Sequence, residues 1–312
     1  MNIKVLGDTH LGREFINNVP LHRRGERERM VFAEFVRQLA PEGASLHVHM
    51  GDLFDKFEVS LDVLMAAADA YRSAASLNPK TDFIILRGNH DANRNLEAVS
   101  SFDVFSELVD HLPNIQVVSD HWWHGEHLFL GFHPVRSARE VLADALAAAS
   151  GKKLTTAWGH WDVDLRSSEF NLIPTQELAA AGITKALTGH VHLPQQLERD
   201  GVDVLVVGSM VPFAHGEGDL YVTVSKAEIE ANPEAFKDKC VRVALKPGEV
   251  WDIDLDCLQL QLKRPDTQAN EIEVQFDTFN LDNIFSEAFT ENDVPKSIQD
   301  ECMSRWKSIS SN

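Results

Sequence analysis

The sequence predicts an α/β fold: layered sheets flanked by helices, followed by a small β-rich C-terminal domain and terminal helices. Three observations carry that prediction. Five short apolar runs end abruptly in glycine and polar residues: IKVLGD, SLHVHMGD, DFIILRGNHD, KLTTAWGH and KALTGHVH. Stretches of helical periodicity alternate with these runs, as in a layered α/β protein. Late in the chain the pattern changes to strand-like pieces separated by PGE and PDTQ turns.

The elements follow in chain order. IKVLGD reads as a buried strand that opens the chain. Residues 25–40 read as a helix, because Val31, Phe32, Phe35, Val36 and Leu39 form one apolar stripe. SLHVHMGD is the second strand, with His47 and His49 two apart and therefore on one face. Helical patterns recur over 60–77, 95–111, 136–149 and 174–181, in alternation with DFIILRGNHD, KLTTAWGH and KALTGHVH. DVLVVGSM and LYVTVS add late strands. The charged stretch KAEIEANPEAFKDK (226–239) reads as a linker. VRVALK, CLQLQLKR and EIEVQF then form the small β-rich domain. Two amphipathic helices around the break NDVP close the chain, with Pro295 suited to a first helical turn. The expected division is 1–228, 238–278 and 280–312.

The five strand ends carry the chemistry. They present Asp8 and His10, Asp52 and Asp55, Asn89 with His90 and Asp91, His160, and His190 with His192. An α/β sheet presents ligands at its carboxyl strand ends. Singly, Asp8 or Asp52 reads equally well as a helix cap, and Gly88-Asn89 as a turn. Together they form a metal-ligand set. Carboxylates, an amide oxygen and neutral imidazoles suit Mn²⁺, Fe²⁺ or Zn²⁺. No cysteine lies near the set, which argues against a thiolate zinc site. Two ions about 3.5–4 Å apart can share a carboxylate and a water and promote in-line attack on phosphorus.

At these residues the chain resembles the calcineurin-like metallophosphoesterase superfamily. Within it, GDTHLG at the first site and GSMVPFAHGEG (208–218) resemble SbcD-type DNA repair nucleases and their phage recombination-endonuclease relatives. The resemblance covers about residues 1–225 well and the remainder loosely. It implies a layered metallophosphoesterase β-sandwich. It implies one metal held by Asp8, His10, Asp52 and His192, and a second held by Asp52, Asn89, His160 and His190, with Asp52 as the bridge. His90 would face the substrate, stabilise the transition state and protonate the leaving oxygen. Asp55 would orient His90. The metals would be two divalent ions, Mn²⁺ foremost. The resemblance further implies exo- and endonuclease activity on DNA, an SbcC-type SMC-like ATPase as partner, and a homodimer within a heterotetramer. Helices 60–77 and 95–111 are candidates for the dimer contact. The C-terminal helices would grip the ATPase coiled coil through Phe285, Phe289, Ile298 and Trp306. Their apolar faces equally fit packing on the small β domain.

Charge constrains this reading. The chain has 312 residues and a formal net charge of −19. It cannot bind DNA through its whole surface, since such proteins are basic. A local patch is required, and Arg13 with His22, Arg23, Arg24, Arg27 and Arg29 in LHRRGERERM supplies one, Arg13, Arg23, Arg24 and Arg27 foremost. The same residues also read as the charged first turn of the helix beneath. The other histidines read differently from the ligand set. His47 and His49 read as packing residues; His121, His124 and His127 crowd a surface turn; His133 and His215 are candidates to line the cleft.

Three widely spaced cysteines form no disulfide framework and fit a reducing cytosol. The first residues lack a signal-peptide pattern, and no apolar run approaches membrane-spanning length, so a cytoplasmic location away from membranes is expected. Two alternatives stand beside the nuclease. One is a phosphodiesterase or phosphatase acting on nucleotides or phosphoproteins; the other is a scaffold of the same fold without catalysis. Retention of every ligand type and of His90 argues against the scaffold.

Overall fold

The computed structural model describes residues 2–166 and 169–264, together with 289, 296, 298–300 and 302. The first sheet is built from β1 (Ile3–Leu6), β2 (Leu46–His49), β3 (Asp82–Leu86) and β4 (Ile115–Val118), in that spatial order and all parallel. Parallel neighbours need crossovers. Helices α1 (Glu26–Gln38), α2 (Leu61–Leu77) and α3 (Ser101–Val109) provide them. Their buried faces, including Phe35, Tyr71 and Phe105, pack on Phe83 and Ile85 of β3.

The second sheet has six strands in the order β5-β6-β7-β8-β10-β9. They are β5 (His121–His124), β6 (His127–Leu130), β7 (Thr156–Gly159), β8 (Lys185–Thr188), β9 (Gln195–Arg199) and β10 (Val202–Val206). The central pairs are parallel and the two outer pairs antiparallel. Helices α4 (Ala138–Ala148) and α5 (Thr175–Ala180) cover its outer face through Val141, Leu142 and Leu178.

The period-two alternation of each strand builds the layers. Leu46, Val48, Ile84, Leu86, Phe129, Trp158 and Leu187 point inward between the two sheets and form one core. The alternate residues point outward to the helices. The result is helix, sheet, sheet, helix. His47 and His49 lie on the outward face of β2, both buried. His47 Nε2 bonds the Gln38 carbonyl at 3.0 Å, and His49 Nε2 meets Thr9 Oγ1 at 3.1 Å. Both are packing histidines, as their spacing predicts.

Three expectations change. The helix expected from residue 95 starts at Ser101, because Ser100 and Asp103 form a capping box there. Before it, Asn93 and Asn95 side chains accept from main-chain N–H groups two residues on and hold the segment in turns. The stretch 226–239 is ordered. It contains α6 (Lys226–Ala231), capped by Ser225 and Glu228, and a 3₁₀ turn at Pro233–Phe236. Helix α6 buries Ile229 and serves as the crossover of a third, parallel sheet. That sheet comprises β11 (Tyr221–Val224), β12 (Cys240–Ala244) and β13 (Gln259–Lys263), so LYVTVS belongs to the small sheet.

The chain separates into two compact units, Met1–Lys263 and Arg264–Asn312. The small sheet is part of the first. In the second, the expected strand EIEVQF and the residues Phe285 and Trp306 lie outside the described residues. Phe289, Ile298 and Cys302 are helical, and Ile298 and Cys302 are exposed. No helix among the described residues is long and apolar enough to cross a membrane.

Candidate metal centre

The carboxyl ends of β1, β2, β3, β7 and β8 converge, and the loops that follow carry all seven expected ligands. Three of those residues, His10, Asp52 and His190, adopt left-handed backbone angles, with φ of 45°, 49° and 70°. Side chains other than glycine's rarely adopt that region, so the surrounding structure holds them there. Two glycines make the close packing possible. A Cβ on Gly88 would collide with the Asp52 carboxylate, and one on Gly51 with the His160 ring.

The expected ligands form two clusters, and His10 with Asp55 and His90 makes a third group beside them. In the first, Asp8, His10 and His192 bring their ligand atoms within 4.8 Å of one another. His10 Nε2 and His192 Nε2 are 3.1 Å apart. In the second, Asp52, His160 and His190 do the same. Asn89 Oδ1 lies 3.0 Å from His160 Nε2 and 2.8 Å from His190 Nδ1. Asp52 stands between the clusters. Its Oδ2 is 3.8 Å from His10 Nε2 and 3.3 Å from His160 Nε2.

Each imidazole turns one nitrogen inward and has an oxygen near the other. His160 Nδ1 donates to the Met50 carbonyl at 2.9 Å. His192 Nδ1 meets Glu217 Oε1 at 3.2 Å. His10 Nδ1 is 3.5 Å from Asp55 Oδ1, and His190 Nε2 is 3.9 Å from Asp162 Oδ2. The hydrogen-bonded partners, the Met50 carbonyl and Glu217, fix the tautomers of His160 and His192; His10 Nδ1 makes no hydrogen bond.

The donor set fits a pair of divalent cations. Asp8 Oδ1 is fully buried with no hydrogen-bond partner, which is costly unless a cation meets it. Burial pushes His10 down to about 3 and His190 down to about 4, so both are neutral donors. Burial also opposes a charge on His160, but the Asp52 and Asp8 carboxylates prevail and lift it to about 10. Burial raises Asp8 well above the usual carboxylate range. Burial acts the same way on Asp52, yet the His160 charge outweighs it and holds Asp52 below that range. A bound cation would compete with the protons held by Asp8 and His160.

His90 is exposed at the edge of this centre. Its main-chain N–H donates to Asp52 Oδ1 at 2.9 Å, and its Nδ1 donates to the Asp55 main-chain carbonyl at 2.7 Å. The hydrogen bond from Asp55 to the His90 ring is made by its main-chain carbonyl rather than by its carboxylate. The Asp55 carboxylate faces His10 and, at 3.7 Å, Arg13. Arg13 is half-buried over the Phe213 ring and close to the centre.

The arginine patch divides. Arg24 is exposed. Arg23 is buried and is bound to Glu26, Asp256, Asp238 and the Lys237 carbonyl. Arg27 is buried against the Phe15 ring and donates to Tyr221 Oη at 2.7 Å. Neither is available to a phosphate. Acidic and aromatic partners supplied by the small sheet and its loops withdraw them from the surface, and a sequence window around them cannot show that. His133 accepts main-chain N–H groups of Val135 and Arg136, and His215 packs edge-on to Tyr221.

Three residues of the centre have no role in the sequence reading. Asp91 is buried and accepts from the N–H groups of Gly88, Phe54 and Leu53, tying the second and third ligand loops together. Burial and the nearby Asp52 push it up to about 7. Asp162 and Glu217 lie behind His190 and His192, two of the expected ligands. Glu217 lies within GSMVPFAHGEG, but only the fold brings it to His192.

A sequence profile of the calcineurin-like phosphoesterases matches residues 1–208. No curated protein matches the chain. Among solved structures, the chain is similar to the phosphopantetheinyl hydrolase of Mycobacterium tuberculosis, at 13% identity and a TM-score of 0.40, over 67% of this chain and 90% of that one. It is similar to TT1561 of Thermus thermophilus, at 12% identity and a TM-score of 0.44, over 67% and 89%. It is also similar to a dimetal phosphatase of Danio rerio, at 12% identity and a TM-score of 0.38, over 67% and 87%. The family profile spans two thirds of the sequence and includes every expected ligand at the strand ends; the chain belongs to the calcineurin-like phosphoesterase family.

Proposed function

We propose that this metal-dependent phosphoester hydrolase is a Mn²⁺-dependent DNA nuclease subunit of the SbcD type. It cleaves phosphodiester bonds as an exo- and endonuclease, as a homodimer within a heterotetramer with an SbcC-type SMC-like ATPase. The observation that carries the hydrolytic reading is the placement of His90. Its backbone is tied to the carboxylate between the two clusters, and its ring is held through Nδ1 by the Asp55 carbonyl and exposed at the edge of the site. A phosphodiester expels an alkoxide, a poor leaving group that needs a proton. A residue so placed supplies one. The DNA assignment is supported by GDTHLG and GSMVPFAHGEG in the sequence.

Asp8, His10, Asp52 and His192 would hold one ion, and Asp52, Asn89, His160 and His190 the other. When bound, two such ions acidify a water and neutralise charge on a phosphoryl oxygen. The chain's residues do the rest. The left-handed loops fix the ligands, which lowers the cost of assembling the site. The Asp55 carbonyl holds His90 by Nδ1–H and leaves Nε2 facing outward, from which the doubly protonated ring donates to the departing oxygen. Arg13, Arg24 and Arg29 are the patch arginines left to meet the DNA backbone, because Arg23 and Arg27 are buried. A net charge of −19 then makes the partner necessary for holding long DNA.

The test is digestion of end-labelled single- and double-stranded DNA with Mn²⁺, with and without the ATPase. Metal-dependent shortening of the strand is expected. Hydrolysis of nucleotides or phosphoproteins with intact DNA would replace this reading with the phosphodiesterase or phosphatase one.

A further inference from the structure

The small sheet touches the metal centre through one loop. Residues 208–218 leave β10 and return toward β11, passing under His10 and His192. Phe213 lies against both ligand rings, with centroids 5.1 Å from His10 and 5.6 Å from His192. Glu217 closes the loop on itself. Its Oε2 accepts the N–H of Phe213 at 2.6 Å and of Ala214 at 3.2 Å, while Oε1 faces His192 Nδ1 at 3.2 Å. The other ring nitrogen, Nε2, faces His10 Nε2 and Asp8 Oδ2, the latter at 3.9 Å. A carboxylate on Nδ1 requires Nδ1–H there and leaves the Nε2 lone pair for a cation.

The loop is anchored from β11. Tyr221 Oη donates to the Phe213 carbonyl at 2.7 Å and accepts from Arg27 at 2.7 Å. Arg27 is fixed in turn over the Phe15 ring, 3.7 Å from its centroid. A chain of contacts therefore runs from β11 of the small sheet, through Tyr221, Phe213 and Glu217, to one ligand of one cluster.

We propose that Glu217 is a positioning residue for His192, and that Tyr221 holds Glu217 in place, so that the small sheet sets the affinity of the Asp8–His10–His192 site. This rests on the reading of His192 as a metal ligand. The second cluster has its own outer partners, Met50 and Asp162, and stands apart from this chain of contacts.

Mn²⁺ titration by calorimetry, on the full chain, separates these statements. Glu217→Ala weakens one of two Mn²⁺ sites by about 10–100-fold and leaves the other within about twofold, the usual cost of losing an outer partner. Glu217→Gln keeps an acceptor for Nδ1–H and recovers part of the affinity. Tyr221→Phe, which keeps the ring and removes only the hydroxyl, weakens the same site by a smaller factor. Thermal melting of the metal-free proteins accompanies each titration; if Glu217→Ala does not fold, Glu217→Gln and Tyr221→Phe carry the test. Equal weakening of both sites, or none, overturns the proposal. His192→Ala is the control. If it loses one Mn²⁺ site while the Glu217 variants bind like wild type, the ligand reading stands and the positioning role fails. If His192→Ala binds two ions unchanged, the ligand reading itself fails.

Discussion

Replacing His90 with asparagine removes an imidazole without disturbing what holds the metals. The ring is exposed, so no core packing is lost. The bond from residue 90 to Asp52 Oδ1 comes from the main-chain N–H and survives any side chain. What disappears is the Nε2 proton and the Nδ1–H bond of 2.7 Å to the Asp55 carbonyl. A general acid contributes about 10²–10⁴-fold. At about 1.4 kcal/mol per tenfold, that is about 3–5 kcal/mol of barrier. The loss depends on the leaving group. With DNA, whose leaving alkoxide is strongly basic, His90→Asn loses the full factor in kcat. With bis-p-nitrophenyl phosphate, whose leaving phenolate needs no proton, the loss stays under about tenfold. Parallel rate measurements on both substrates, with metal content by plasma emission, provide the assay. Equal losses on both substrates would refute the acid role. An emptied site would make His90 a ligand.

Three further outcomes are expected. Binding of Mn²⁺ to the metal-free chain near pH 8 releases about one proton or more, because His160, lifted to about 10, must give up its proton; calorimetry in buffers of different ionisation enthalpy measures this, and zero release contradicts it. His47 is buried and pushed from 6.5 down to about 4, so the unfolded chain takes up a proton below about 6.5 that the folded one refuses. Stability is therefore complete above that pH and falls as pH drops to about 4, by about 3 kcal/mol from this group; His47→Gln flattens this part of the melting profile, and a profile parallel to wild type contradicts the assignment. Arg23→Ala lowers stability by about 1–3 kcal/mol through its lost charged hydrogen bonds, whereas Arg24→Ala leaves melting unchanged and reduces the salt slope of DNA binding by about 0.7–0.9; the reverse pattern would return Arg23 to the DNA surface.

The expected ligand set is legible in sequence because each of its residues sits within four positions of the end of a strand. Short apolar runs ending in glycine declare both the strand and its carboxyl end. His47 and His49 are legible for the same reason, since period two places them on one face. The outer partners are not. Glu217 reaches His192 across 25 residues of chain, Asp162 meets His190 beyond the paired ends of β7 and β8, and Met50 meets His160 only when the two sheets pack. The arginine patch misleads because local composition cannot show burial. Arg23 is covered by Asp238 and Asp256, more than 200 residues away. The stretch 226–239 reads as a linker because α6 is short and buries a single apolar residue, Ile229. The helix start at Ser101 is readable from its capping box, once Ser100 and Asp103 are weighed above the upstream periodicity.

The most direct test of a two-ion centre bridged by Asp52 is metal stoichiometry. Wild type and Asp52→Ala are freed of metal, dialysed against Mn²⁺ and counted by plasma emission, with circular dichroism to establish that both are folded. Two ions per wild-type chain and none retained tightly by Asp52→Ala are expected, because Asp52 Oδ2 lies within 3.8 Å of His10 and 3.3 Å of His160, one ligand from each cluster. One ion per wild-type chain, or two in the folded Asp52→Ala protein, would contradict the shared centre.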